Sequence, residues 1–134
     1  MKTIKNLLRV MLVVLAISPL PGFAEGTWIP LQTPAGGGTS TMLLLSDGTV
    51  MIQIGNSANG PTTGWYSLTP GATGGYTNGQ WGTLHSMHYS RDYYTSQVLN
   101  NGRVFVAGAE YGNGTTNAEI YDPVADNWSL VNIP

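Results

Sequence analysis

At 134 residues the chain has room for one hydrophobic core and not for two independent domains. Eighteen glycines, eight prolines and only 9% charged residues exclude a helical bundle, and the lack of cysteine excludes a disulfide scaffold, a thiolate zinc site or a cysteine nucleophile within this sequence. A formal net charge of −2, with five basic side chains in all, argues against a nucleic-acid partner.

Residues 1–24 read as a signal peptide, whose helix precedes the folded part. A basic start (Lys2, Lys5, Arg9) leads into an apolar stretch from Val10 to Ile17, then Pro19 and Pro21, then small Gly22 and Ala24 flanking Phe23. The apolar stretch is well short of the roughly 20 residues that cross a bilayer, so cleavage after Ala24 is expected in place of a membrane anchor. The implied location is secreted, periplasmic or extracellular, with no membrane span after cleavage. Cleavage also removes three of the five basic side chains and leaves Arg91 and Arg103 against seven acids, too few cations for nucleic acid or anionic lipid.

The remainder, 25–134, divides into an outer strand and linker over 25–38, a first unit over 39–84, a connection over 85–92 and a second unit over 93–134. The two units repeat. Thr41 to Ile52 (TMLLLSDGTVMI) aligns with Thr95 to Val106 (TSQVLNNGRVFV), setting Leu45 on Leu99, Asp47 on Asn101, Gly48 on Gly102 and Val50 on Val104 at an offset of 54. Trp65-Tyr66-Ser67 matches Ile120-Tyr121-Asp122, and Trp28, Trp81 and Trp128 close equivalent stretches.

Within each unit four short strands are predicted. Asp47-Gly48 and Asn101-Gly102 signal tight hairpins, because a type I′ turn needs positive φ at both central positions. The flanking segments, Met42 to Leu45 with Val50 to Ile54 and Ser96 to Leu99 with Val104 to Ala107, are near-continuous apolar runs, as in strands buried on both faces. A third strand carries Trp65-Tyr66 or Ile120-Tyr121, and a fourth carries Trp81 or Trp128. No stretch of 25–134 has the apolar periodicity of a helix, so the fold class is all-β.

Gly108, Tyr121 and Trp128, set in GRVFVAGAEYG and AEIYDPVADNWSLV, resemble a kelch repeat, and more narrowly the kelch-type units of secreted galactose-oxidase-like proteins. The resemblance implies a partial β-propeller of about two four-stranded antiparallel kelch-type blades plus an isolated N-terminal outer strand. Propellers contain typically four to eight blades, so two imply remaining blades elsewhere in a longer protein or, as an alternative, several copies assembled into a ring. Trp28, Gly48, Tyr66, Trp81, Gly102, Gly108, Tyr121 and Trp128 are then structural positions, with the aromatic side chains wedged between sheets and the glycines at turns. Two blades alone would leave a broad apolar face uncovered.

Chemistry is expected where loops gather, over Gly55 to Gly64, Gly108 to Asn117 and Leu84 to Tyr94. The last holds both histidines. His85 and His88 are spaced i, i+3, which puts their rings on opposite faces of a strand, so no metal site is assigned and the connection reads first as a polar anchor. The candidate ligand contacts are His88, Tyr89, Arg91, Asp92, Tyr94, Glu110 and Tyr111, whose aromatic and charged groups suit a carbohydrate or a protein. Glu110 and Tyr111 open the other exposed loop and admit two readings, a pocket shared with Arg91 in which an ion pair forms, or, preferred, ordinary solvation or a structural Arg-Glu bridge. Gly112-Asn113-Gly114 is a weak phosphate signal, and Asn113 and Asn127 open glycosylation-type triplets. No nucleophile elbow, HExxH, P-loop or EF-hand pattern occurs.

The resemblance therefore implies a fork. One branch is a non-catalytic binding or scaffolding segment. The other is the N-terminal part of a copper-radical carbohydrate or alcohol oxidase, a class that uses Tyr and His ligands and a Tyr-Cys cross-link. With no Cys in the chain, no catalytic residue is assigned and no cofactor is expected in this segment. Copper would enter only through the longer protein.

Overall fold

The computed structural model describes residues 26–55 and 60–131, so the signal-peptide reading over 1–24 lies outside the described residues. Every regular element described is a strand. β1 (Thr39–Leu44), β2 (Val50–Ile54), β3 (Trp65–Thr69) and β4 (Gln80–Leu84) form a first antiparallel sheet in the order β1-β2-β3-β4. After a connection containing β5 (Arg91–Asp92) come β6 (Thr95–Val98), β7 (Val104–Ala107), β8 (Tyr111–Gly112), β9 (Ala118–Asp122) and β10 (Asn127–Val131). The second sheet runs β6-β7-β9-β10, and β5 pairs with β8 as a small third sheet. The chain is all-β, and neither four-stranded sheet closes on itself.

The repeat of 54 is carried into the hydrogen-bond register. Leu44 pairs with Val50 as Val98 pairs with Val104, and Met42 pairs with Ile52 as Ser96 pairs with Val106. Across each sheet one rung is equivalent throughout, Leu44-Val50-Leu68-Trp81 in the first and Val98-Val104-Tyr121-Trp128 in the second. The two tryptophans also do the same job. The Trp81 indole N–H donates to the Thr33 carbonyl at 2.9 Å and the Trp128 indole N–H to that of His85 at 2.9 Å, each pinning the segment that leads into its own sheet.

Three expectations are corrected. The hairpins are not type I′: only Gly48 and Gly102 take positive φ (86° and 80°), whereas Asp47 and Asn101 do not. In each, a glycine N–H closes a four-residue turn, Gly48 to the Leu45 carbonyl at 3.0 Å and Gly102 to that of Leu99 at 2.9 Å, and the glycine then serves as the left-handed bulge. Asp47 and Asn101 use their side chains to cap the turn, accepting from the Thr49 and Arg103 N–H groups.

Secondly, Tyr66 is not the counterpart of Tyr121. Tyr66 faces Ile52, so its register partner is Glu119 opposite Val106, and Tyr121 matches Leu68. Register follows the hairpin and not the aromatic identity. Thirdly, no strand forms over 26–38, and Trp28 is 99% exposed. A strand needs a sheet edge beside it. The segment instead crosses the first sheet as a loop, held by Gln32 N–H on the Thr77 carbonyl and by Thr33 on Trp81.

The core lies between the two four-stranded sheets. Leu45, Met51 and Trp65 from the first meet Val104, Val106, Tyr121 and Trp128 from the second, with Met87 of the connection filling between them. Trp65 stacks on Trp128 with ring centroids 5.8 Å apart, and Tyr121 tilts onto Trp128 at 5.1 Å. Each such side chain contributes roughly 1.5–3 kcal/mol by leaving water. Met51 and Ile52, on opposite faces of β2, are both buried (0% and 3% exposed), which explains the unbroken apolar run there. On the outer faces Met42 and Leu44 remain exposed, and Phe105 and Ile120 are half-buried.

Candidate functional site

The three loop segments meet at one end of the sheet pair. Thr62 of the β2–β3 connection bridges to Arg91, and the Met87 N–H donates to the Thr63 carbonyl at 2.9 Å. β5 pairs with β8, setting Arg91 opposite Gly112 and Asp92 opposite Tyr111. Ser90 donates from its N–H and its hydroxyl to Asn113 Oδ1 at 2.8 and 3.0 Å.

Arg91 is the hub of this end. It is fully buried, and its guanidinium donates to the carbonyls of Gly108 (2.7 Å), Gly114 (2.6 Å) and Asn117 (2.9 Å). Its other terminal nitrogen pairs with Glu119 at 3.1 Å, and neither side chain is exposed at all. Glu119 also accepts from the His88 N–H and ring Nδ1, both at 2.8 Å, and from the Tyr89 N–H at 3.3 Å. The two terminal nitrogens and the carboxylate are thus well supplied, as a buried charge pair requires, and of the Arg91 nitrogens Nε alone is buried without a partner. Removing either partner would strand the other.

The glycines explain why the hub fits. A Cβ at Gly114 would lie 2.7 Å from an Arg91 nitrogen, and one at Gly112, where φ is +107°, would collide with the Ser90 carbonyl. The Gly112-Asn113-Gly114 pattern thus serves to seat an arginine. On the near side, Gln53 donates to the Arg91 carbonyl at 2.8 Å and accepts from the Tyr94 hydroxyl at 2.9 Å. Burial, first, pushes the Tyr94 hydroxyl up to about 12.

This scaffold leaves a cleft of about 290 Å³. Ser40, Gly55, Pro61, Thr62, Asp92 and Tyr93 line it, a mixture of hydroxyl, carboxylate and backbone groups with one aromatic ring. Tyr93 has φ +51° and is 72% exposed. It meets Tyr111, 56% exposed, edge to face at 6.1 Å.

A second polar cluster joins the sheets elsewhere. Asp126, in the β9–β10 turn, accepts from the His85 N–H at 3.0 Å and pairs with its ring at 2.9 Å, and the Tyr121 hydroxyl donates to it at 2.7 Å. Burial opposes ionisation of Asp126, but the bonds from His85 and Tyr121 outweigh it and hold the carboxyl below its ordinary value. Tyr121 is raised by burial and by that same bond.

The structure brings Arg91, Asp92, Glu110 and Tyr111 together, with the Glu110 N–H donating to the Asp92 carbonyl at 3.0 Å. It gives them different duties. Arg91 is internal and bonds Glu119, which projects from β9 into the gap between the sheets, whereas Glu110 is exposed, in keeping with its solvated reading. His88 and Tyr89 are tied to Glu119, and Tyr94 to Gln53. Sequence reasoning missed Gln53, Thr62, Tyr93 and Glu119. The available signal for Glu119 was an acid between Ala118 and Ile120, in the interior of a largely apolar strand.

No family model matches the chain, and no curated protein does. Among solved structures it is similar to a fungal alcohol oxidase of the AA5 family, described as catalytically diverse and determined in complex with copper. The two share 31% identity with a TM-score of 0.52 over 66% of this chain. The chain spans 17% of that oxidase. Copper does not fit the groups described here: His85 and His88 are each committed to a carboxylate, and no three His, Cys, Asp or Glu side chains gather to hold a metal ion among the described residues.

Proposed function

We propose that this chain is a segment of a secreted galactose-oxidase-like protein, its two sheets acting as kelch-type propeller blades, and that its loop end binds a carbohydrate without catalytic machinery of its own. The observation that carries the reading is the convergence of three loops on a rigid internal arginine, leaving a cleft edged by hydroxyls, a carboxylate and an exposed aromatic ring. Sugars are bound by that combination, with polar groups fixing hydroxyls and an aromatic face covering the C–H face of the ring. With Arg91 spent internally, the recognition falls to neutral and acidic groups. Calorimetric titration of the purified chain with a panel of oligosaccharides tests this. Saturable binding supports it, and no heat with any sugar overturns it.

The likeness to a copper-bound alcohol oxidase favours a second reading, in which the chain forms the N-terminal part of such an oxidase. The copper ligands would then come from other parts of the protein, since the groups described here do not supply them. Copper-dependent peroxide production from a primary alcohol, by a longer protein that includes this chain, would support that reading. Its absence in copper-loaded protein would return the argument to a binding module. The outer sheet faces, with Met42 and Leu44 exposed, are the surfaces on which further blades would stack.

A further inference from the structure

We propose that Tyr93 and Tyr111 form a stacking platform for the apolar face of a neutral pyranose ring, with the carboxylates of Asp92 and Glu110 taking its hydroxyls. The inference rests on the carbohydrate-binding reading and names the ligand class and the residues that select it.

The first observation is backbone conformation. Tyr93 is one of two non-glycine residues described with positive φ, at +51°. L side chains seldom adopt that region, and such outliers persist where surrounding bonds over-determine them. Here the bonds are local: the Tyr93 N–H donates to Asp92 Oδ1 at 3.1 Å, and the Glu110 N–H reaches the Asp92 and Tyr93 carbonyls at 3.0 and 3.3 Å. None of them involves the Tyr93 side chain, and glycine would satisfy them without strain. The other outlier, Asp126, has its side chain fully engaged in the fold. The Tyr93 ring has no comparable duty.

The second observation is exposure. Two tyrosines, 72% and 56% exposed, are held against each other with centroids 6.1 Å apart and planes at 66°. Asp92 and Tyr111 are register partners, so the pair stands on a hydrogen-bonded ladder. That ladder is braced by the Gly114 N–H on the Ser90 carbonyl and by the buried Arg91 hub. The platform is rigid before any ligand arrives, which lowers the ordering cost of binding. Tyr93 also lines the adjoining cleft, so a ring stacked on it continues into that cavity.

Charge selects among sugars. No lysine occurs among the described residues, and Arg91 is internal. Arg103 sits in the β6–β7 hairpin, at the opposite end of that strand pair from Thr95. Both histidine rings are bonded to carboxylates. Asp92 and Glu110 therefore meet the ligand with no compensating cation, which favours hydroxyl donors and repels uronates or sulfated sugars.

The test is calorimetric titration of the full chain and its variants with neutral gluco-, galacto- and manno-configured oligosaccharides and with the corresponding uronates. The expected result is binding of at least one neutral series, with its uronate at least tenfold weaker. Y93A and Y111A should each weaken binding at least tenfold, and R103A should leave it unchanged. Y93G adds a readout that a merely structural residue would not give: binding is lost while the unfolding temperature rises. Neutral sugar bound equally by wild type, Y93A and Y111A overturns the platform and leaves the carbohydrate reading standing. Failure of every sugar to bind overturns both. Preference for the uronate, or binding only of an aromatic-rich peptide, overturns the ligand class.

Discussion

Replacing Glu119 by alanine takes away the single anion that compensates Arg91 in the interior. The carboxylate accepts from Arg91, from the N–H and ring of His88, and from the N–H of Tyr89, all within 2.8–3.3 Å. The loop donors at His88 and Tyr89 recover water, because His88 is exposed and Tyr89 partly so. Arg91 does not, and leaving one member of a buried pair unpartnered costs about 3–5 kcal/mol. Domains of this size are stable by about 5–15 kcal/mol, so Glu119→Ala should cost roughly a fifth of the total or more. Arg91→Met should do similar damage by a different route, since it frees the carbonyls of Gly108, Gly114 and Asn117 along with Glu119. The combination Arg91→Met with Glu119→Ala removes both charges, and its cost should fall below the sum of the single costs by about 1–3 kcal/mol. Urea unfolding of the full chain, followed by tryptophan fluorescence from the buried Trp65–Trp128 stack, measures all three. A Glu119→Ala cost under about 1 kcal/mol, or strict additivity, would refute the view that these groups act as one buried unit.

Two further predictions concern pH. The Asp126 carboxyl is held below its ordinary value in the folded chain, so its contribution to stability is present above the ordinary carboxylate range and is lost as pH falls through and below 3.8. Asp126→Asn should lower stability at neutral pH and flatten the acid limb of the stability profile. An unchanged acid limb counts against the His85–Asp126–Tyr121 linkage. At the other extreme, Tyr94 is raised from 10.0 to about 12, so its share of stability is complete below pH 10 and disappears as pH climbs towards 12. Tyr94→Phe should blunt that alkaline loss, and an identical alkaline limb in the variant would exclude the assignment.

How much was legible from the residues depends on the range of the interaction. The hairpins at Gly48 and Gly102 were visible because turn chemistry is local, and the repeat of 54 carried their register from one sheet to the next. The turn type was misread because an Asp-Gly or Asn-Gly pair satisfies two hairpin geometries, and here the acid or amide caps the turn by its side chain. The pairing of Tyr66 with Tyr121 failed because the connections after β2 and β7 differ, so that matching by aromatic identity slipped the register. β5 and β8 could not be foreseen, since two-residue strands in Arg-Asp and Tyr-Gly carry no periodicity.

The loop end was located correctly as a gathering of segments, but the division of labour within it was hidden. Arg91 finds Glu119 twenty-eight residues away and Gln53 thirty-eight away, contacts that only the packing of two sheets decides. An arginine among tyrosines and an aspartate reads as a ligand group until those partners remove it from the surface. Tyr93, between the two named candidates Asp92 and Tyr94, was passed over because its unusual backbone has no signature in residue type.

The most direct measurement is a titration of isotope-labelled chain with a neutral oligosaccharide, followed by amide correlation spectra. The account predicts saturable shifts centred on Asp92, Tyr93, Tyr111 and Gly112, with the hairpins at Gly48 and Gly102 unmoved. Shifts centred on those hairpins, or spectra unchanged at saturating sugar, would contradict it.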